Sequence, residues 1–154
     1  MTTRNGDPIK ILYADDDDDD RSLFQEALKE TNSGAKLTTV EDGEKLMNYL
    51  ASVDGNHPDI IFLDINMPCK DGKICLKEIR AIEELNKVPI IMFSTSSYTE
   101  DIDETFTNGA NLYVSKPVFF NDQVKILEKI FALRWQDELL KPDKKRFVLH
   151  TPND

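Results

Sequence analysis

The decamer Asp59-Ile60-Ile61-Phe62-Leu63-Asp64-Ile65-Asn66-Met67-Pro68 constrains this chain more than any other stretch. Four apolar residues lie between two aspartates, and β-branched and aromatic side chains are among them. A short run of this kind, bounded by polar and turn residues, predicts a buried strand. Pro58 halts whatever precedes it, and Pro68 forces Met67 into an extended or turn geometry. Asp64 then falls at the carboxyl end of a central strand, which is where open α/β sheets do their chemistry.

The same punctuation recurs along the chain. Residues 1–8 are polar and hold Gly6 and Pro8, a loose or disordered lead-in. Residues 9–14 form a strand candidate that ends in six aspartates, Asp15 to Asp20. Leu23, Phe24, Ala27 and Leu28 follow at helical spacing, and Asp18 or Asp19 can cap that helix. Residues 36–40 are a second, weaker strand, and Gly43 opens a helix carrying Leu46, Met47 and Leu50. Beyond Asp64, a turn over residues 68–72 leads to a third helix with Ile74, Cys75, Ile79 and Ile82 as its inner face.

Residues 89–93 are a fourth strand, which runs out at Ser94. Ser97-x-x-Glu100 reads as a capping box for a helix over about 99–108, anchored only by Ile102 and Phe106 and ended by Gly109. Residues 111–114 are a fifth strand, followed by Ser115-Lys116-Pro117. The last helix starts near Phe120 or Asn121, and its apolar arc is wider than one buried face requires. Five strand–helix repeats predict an α/β fold, a doubly wound five-stranded parallel sheet in the order 2-1-3-4-5, built as a single domain. The domain takes residues 9–135. Residues 136–154 remain as a C-terminal helix extension and tail, in which the stretch from Lys144 to His150 adds an extended piece or frays.

Lys plus Arg is 19 against 29 Asp plus Glu, a net charge of -10 over 154 residues. That balance argues against nucleic acid or anionic membrane as a partner and suits a cation. Cys69 and Cys75 lack zinc spacing, so a reduced, cytoplasmic setting is expected. There is no signal-peptide pattern, no apolar run of spanning length and no phosphate-binding glycine motif. The residues beyond the last helix are too few for a DNA-binding output module.

Strands 1 and 3 lie side by side at the switch point, so Asp15, Asp16 and Asp64 share one crevice. Three carboxylates there repel one another, and a divalent cation relieves the repulsion. Oxygen ligands suit Mg²⁺, and Mn²⁺ or Ca²⁺ can substitute. With the cation bound, an ionised aspartate can attack a phosphoryl group. Ser94 ends strand 4 with a hydroxyl, and Lys116 follows strand 5 with an ammonium; both can meet phosphoryl oxygens. Asp18, Asp19 and Asp20 read as surface or cap residues.

With these residues in place, the sequence resembles the receiver domain of bacterial two-component response regulators, the flavodoxin-like chemotaxis-regulator type. The resemblance rests on Asp15-Asp16, on the stretch from Asp64 to Pro68 with Asp71-Gly72, on Ser94, and on Lys116-Pro117. It implies that Asp64 accepts a phosphoryl group from a histidine kinase. It also implies that Asp15, Asp16, Asp64 and the Asn66 backbone carbonyl hold Mg²⁺, and that Ser94 and Lys116 contact the phosphoryl group. Ser94 and Tyr113 form the switch, the face of helix 4, strand 5 and helix 5 changes, and the Lys116–Pro117 bond is cis.

The leading expectation is a stand-alone signalling switch that acts by protein–protein contact and is no enzyme beyond slow loss of its own phosphoryl group. Its partners are a sensor histidine kinase or a histidine phosphotransfer protein, an unknown downstream target, and a second copy through helix 4, strand 5 and helix 5. Alternatives are a phosphorylation-independent docking or dimerisation adaptor and a relay intermediate. A metal-dependent phosphohydrolase is disfavoured, because Asn66 stands where such enzymes place a general acid.

Overall fold

The computed structural model describes residues 6–133 and 143–150. The apolar runs become strands: β1 (Lys10–Ala14), β2 (Lys36–Val40), β3 (Ile60–Leu63), β4 (Ile90–Ser94), β5 (Leu112–Ser115) and β6 (Val148–Leu149). The segments of helical spacing become α1 (Asp18–Glu30), α2 (Gly43–Ser52), α3 (Gly72–Arg80), α4 (Thr99–Thr107) and α5 (Phe120–Phe131), joined by a short α6 (Lys144–Phe147). All neighbouring strands are parallel, in the order β2-β1-β3-β4-β5-β6.

The first five strands follow the expected order, but the sheet has six strands rather than five. The sixth is two residues long, too short for any periodicity to reveal. It sets Val148 beside Tyr113 and Leu149 beside Val114, so it pairs backbone groups that β5 would otherwise present at an open edge. Phe147, with no exposed surface, anchors it in the core. The expected helix extension over residues 135–140 lies outside the described residues.

Successive strand residues point to opposite faces, and each face builds its own core. Ile11, Tyr13, Phe62, Ile91, Phe93 and Val114 pack beneath α1 and α5 with Phe24, Leu127 and Ile130. Leu12, Leu63, Met92 and Tyr113 pack on the other side with Leu46, Cys75, Leu76, Ile79 and Phe147. Burial on both faces explains why β1, β3 and β4 lack polar alternation. On α3 the buried stripe is Cys75, Leu76 and Ile79; Ile74 lies well round the helix from it and is exposed, against expectation.

Aspartates begin four of the helices, Asp143 at α6 among them. Asp17, not Asp18 or Asp19, caps α1: its backbone is still extended and its side chain accepts from the Asp20 N–H. Asp18 and Asp19 are already helical and cannot take that position. Asp42 and Asp71 cap α2 and α3 in the same way. The capping box at Ser97 does not form. The chain stays extended through Tyr98, so α4 starts at Thr99, as expected, but has no side-chain cap. Asn108 is its C-cap and Gly109 follows at φ +99°, a conformation that favours glycine. No peptide bond among the described residues is cis, so Lys116–Pro117 is trans, the ordinary form. No helix among the described residues is long and apolar enough to cross a membrane.

Candidate functional site

Strand register assembles the site. Ala14 pairs with Leu63, so the next residues, Asp15 and Asp64, emerge side by side. The Asp64 N–H donates to the Ala14 carbonyl at 3.0 Å. Ser94 pairs with Ser115, which places Lys116 one residue beyond the end of β5. The carboxyl ends of β1, β3, β4 and β5 thus converge on one pocket of polar side chains. Asp15, Asp64 and Ser94 are buried, whereas Asp16 and Asn66 are exposed.

At the centre stands the Lys116 ammonium. Its Nζ donates to Asp15 Oδ2 at 2.6 Å, Asp20 Oδ2 at 2.9 Å and Asp64 Oδ2 at 3.2 Å. Tyr13 donates its hydroxyl to the same Asp15 oxygen, and the Asp17 N–H binds Asp15 Oδ1 at 3.0 Å. Burial raises the Asp64 proton affinity above that of an ordinary carboxyl; Lys116 opposes the rise and Asp15 adds to it. Burial would lower that of Lys116, but bonds to Asp15 and Asp20 and the charge of Asp64 outweigh it, so the lysine stays cationic.

Asp15, Asp16 and Asp64 each offer a carboxylate oxygen, and the three lie within 4.8 Å of one another. Two are buried and one faces solvent, which leaves a wet side to the cluster. A small hard cation with oxygen ligands and retained waters, Mg²⁺ or Mn²⁺, fits that donor set.

The loop after β3 is shaped by close backbone approach. A Cβ on Gly72 would meet the Asp64 carbonyl oxygen at 2.0 Å, so only glycine fits there. The Gly72 N–H binds the Ile65 carbonyl at 2.8 Å, and the Asp64 side chain accepts from the Ile65 N–H at 2.8 Å. These contacts fix the carboxylate against its own backbone. On the far side, Ser94 Oγ accepts from the Ser96 N–H at 3.2 Å. Tyr113 is buried, and its hydroxyl donates to the Ser96 carbonyl at 2.8 Å. Ser96 in turn donates to Asp101 of α4, which Lys73 of α3 holds at 2.5 Å.

Most residues singled out in the sequence meet here, and three others join them unforeseen. Asp20 is not merely a surface residue: the first turn of α1 carries it over the sheet to Lys116, 96 positions away. Tyr13 and Lys73 also escaped notice. Alternation along β1 could have placed Tyr13 beside the acidic pair, but no local signal marks Lys73. The two cysteines lie apart from this chemistry: burial pushes the Cys75 thiol up to about 12, and Cys69 is exposed.

Comparison with known proteins agrees with this geometry. The family model for the response regulator receiver domain matches residues 11–131. Response regulator Rcp1 of Synechocystis sp. is 28% identical over 146 residues, covering 92% of this chain and 99% of the relative. A probable methanogenesis regulatory protein, FilR2 of Methanothrix harundinacea, is 28% identical, covering 84% and 86%. Among solved structures, the phosphorylated cyanobacterial phytochrome response regulator RcpA superposes with a TM-score of 0.73 at 32% identity, covering 80% of this chain and 91% of that one. The Mn²⁺-bound form of Rcp1 gives 0.74 at 29%, covering 88% and 100%. The chain belongs to the response regulator receiver domain family.

Proposed function

We propose that this chain, a phosphorylation-activated switch by family, takes a phosphoryl group on Asp64 from a histidine kinase and then acts by protein–protein contact. The observation that carries the reading is the Lys116 ammonium shared between Asp15 and Asp64 at the ends of three strands. An Asp64 oxygen attacks phosphorus, the bond from phosphorus to the donor nitrogen breaks, and an acyl phosphate forms. Lys116 Nζ and Ser94 Oγ then meet the phosphoryl oxygens. Asp15, Asp16, Asp64 and the Asn66 carbonyl would hold Mg²⁺, which neutralises charge on the phosphoryl group when bound. Ser94 and Tyr113 are the switch pair, and the link from Tyr113 through Ser96 to Asp101 supports α4 as the element that responds.

The kinship with phytochrome response regulators supports a partner of the histidine-kinase type. Exposed Tyr98, Val118 and Phe119, in the loops after β4 and β5, give such a partner an apolar rim beside the site. Pairing of two copies through α4, β5 and α5 is a further reading, favoured by Val124, Phe131 and Leu133, which stay only partly buried. Because β6 takes the β5 edge, such a pair would use the outer surfaces of the two helices. Sedimentation as a monomer at all concentrations would remove it.

The main proposal is tested by intact mass after incubation with a small phosphodonor and Mg²⁺. One phosphoryl group is gained by the native chain and none by Asp64→Asn or in chelator. A variant that still gains it would overturn the assignment.

A further inference from the structure

Asp15 has no exposed surface, and each of its polar atoms has a partner. Its N–H donates to the Val40 carbonyl at 3.1 Å, and its carbonyl accepts from Arg21 Nη1 at 2.7 Å. Oδ1 accepts from the Asp17 N–H at 3.0 Å. Oδ2 accepts twice, from Lys116 Nζ at 2.6 Å and from the Tyr13 hydroxyl. That second donor is fixed by the fold. Tyr13 stands two positions before Asp15, so strand alternation sets both side chains on one side of the sheet. Its ring, also without exposed surface, lies with its centroid 4.3 Å from that of Phe24 and 5.8 Å from that of Phe93. Phenylalanine would fill the same space, so packing alone does not call for the hydroxyl.

Phosphoryl transfer draws Lys116 away from this arrangement, because its ammonium must meet the phosphoryl oxygens. Of the carboxylates it leaves, Asp64 has become an acyl phosphate, and Asp20, whose side chain is 35% exposed, can turn to water. Asp15 can do neither. Taking one partner from a buried charge is strongly destabilising unless another donor stays. We propose that Tyr13 is a positioning residue for phosphoryl transfer: its hydroxyl stays on Asp15 Oδ2 as Lys116 departs, and keeps that carboxylate paired and aimed at the cation site. The clamped ring cannot follow the lysine. This role rests on Asp64 being the phosphoacceptor.

The probe is beryllofluoride with Mg²⁺, a tetrahedral stand-in for the phosphoryl group, titrated into the full-length chain and followed by fluorine NMR. Tyr13→Phe removes the hydroxyl and keeps the ring. It should bind beryllofluoride at least about ten-fold more weakly than the native chain, the worth of a hydrogen bond to a charged group. Without the probe its urea unfolding should stay close to native, because Lys116 still serves Asp15. A merely structural hydroxyl would weaken the resting and loaded states alike and leave binding unmoved. A folded Tyr13→Phe chain that binds as tightly as the native one would therefore overturn the proposal. The native chain supplies a second reading that needs no variant. Its buried Tyr13 hydroxyl proton, shielded from water, should persist in the proton NMR spectrum when beryllofluoride and Mg²⁺ are added, and its loss to exchange would also overturn the proposal. A native chain that binds no beryllofluoride would overturn the role given to Asp64, and this one with it, before any variant is compared.

Discussion

Asp64 is a carboxylate held where ionisation is costly. Its folded-state proton affinity is raised by burial, so between the ordinary carboxyl value and the raised one the native state binds more protons than the unfolded chain. Stability contributed there falls as pH rises through that window. Asparagine carries no charge to bury. Asp64→Asn should therefore exceed the native chain in stability at neutral pH without divalent cation, and the difference should close below the carboxylate range. Urea unfolding at the two pH values checks this. Asp20 acts in the opposite sense on Lys116, since it draws the ammonium toward α1 at 2.9 Å while Asp64 holds it at 3.2 Å. Asp20→Asn should speed phosphorylation about five-fold, the equivalent of about 1 kcal/mol for a partly exposed ion pair. Asp19→Asn, equal in charge but without that contact, is the control. Five site residues were legible because each sits at or just beyond a strand end and the sheet order brings those ends together. Asp20 was not, because its partner is chosen by the packing of α1 over the sheet.

Among the five long helices, α4 is the least secured. It buries only Thr105 fully and lacks a side-chain cap. Ionic contacts do what apolar burial does elsewhere: Lys73 bonds Asp101 at 2.5 Å and Glu104 at 2.9 Å. Lys73→Ala should raise hydrogen exchange of the α4 amides about five-fold, from the loss of about 1 kcal/mol, and leave α1 unchanged. The hydrogen bond from Lys73, and then that from Ser96, holds the Asp101 carboxyl below its usual range. Stability from it is present above the ordinary carboxyl value and lost as pH falls through the depressed one. Weak anchoring of α4 could be read from Ile102 and Phe106 alone. Its cap could not, because the capping pattern Ser97-x-x-Glu100 matches a motif that the extended backbone at Tyr98 displaces. β6 was legible only as one of two readings of residues 144–150, an extended piece or frayed chain. A two-residue strand has no period, and its place depends on an open edge formed by residues more than thirty positions earlier.

For the whole molecule, continuous apolar runs gave the parallel sheet and the periodic segments gave its helical cover, so the order of the first five strands followed from connectivity and handedness. The excess of acidic residues has a local use as well as a global sign. A cation bound by Asp15, Asp16 and Asp64 favours the folded state by mass action. Added Mg²⁺ should raise unfolding free energy by about 2.7 kcal/mol at a hundred times its dissociation constant. Asp15→Asn combined with Asp16→Asn should abolish that rise, as thermal melts across a Mg²⁺ series would show. The central claim is that one carboxylate of this cluster carries the phosphoryl group. Borohydride reduction of the phosphorylated chain, followed by peptide mass mapping, addresses it most directly, because reduction converts an aspartyl phosphate to homoserine. Homoserine at position 64 and nowhere else is the expected result. Homoserine at Asp15, Asp16 or Asp20, or a phosphoryl group that survives on a serine or threonine, would contradict it.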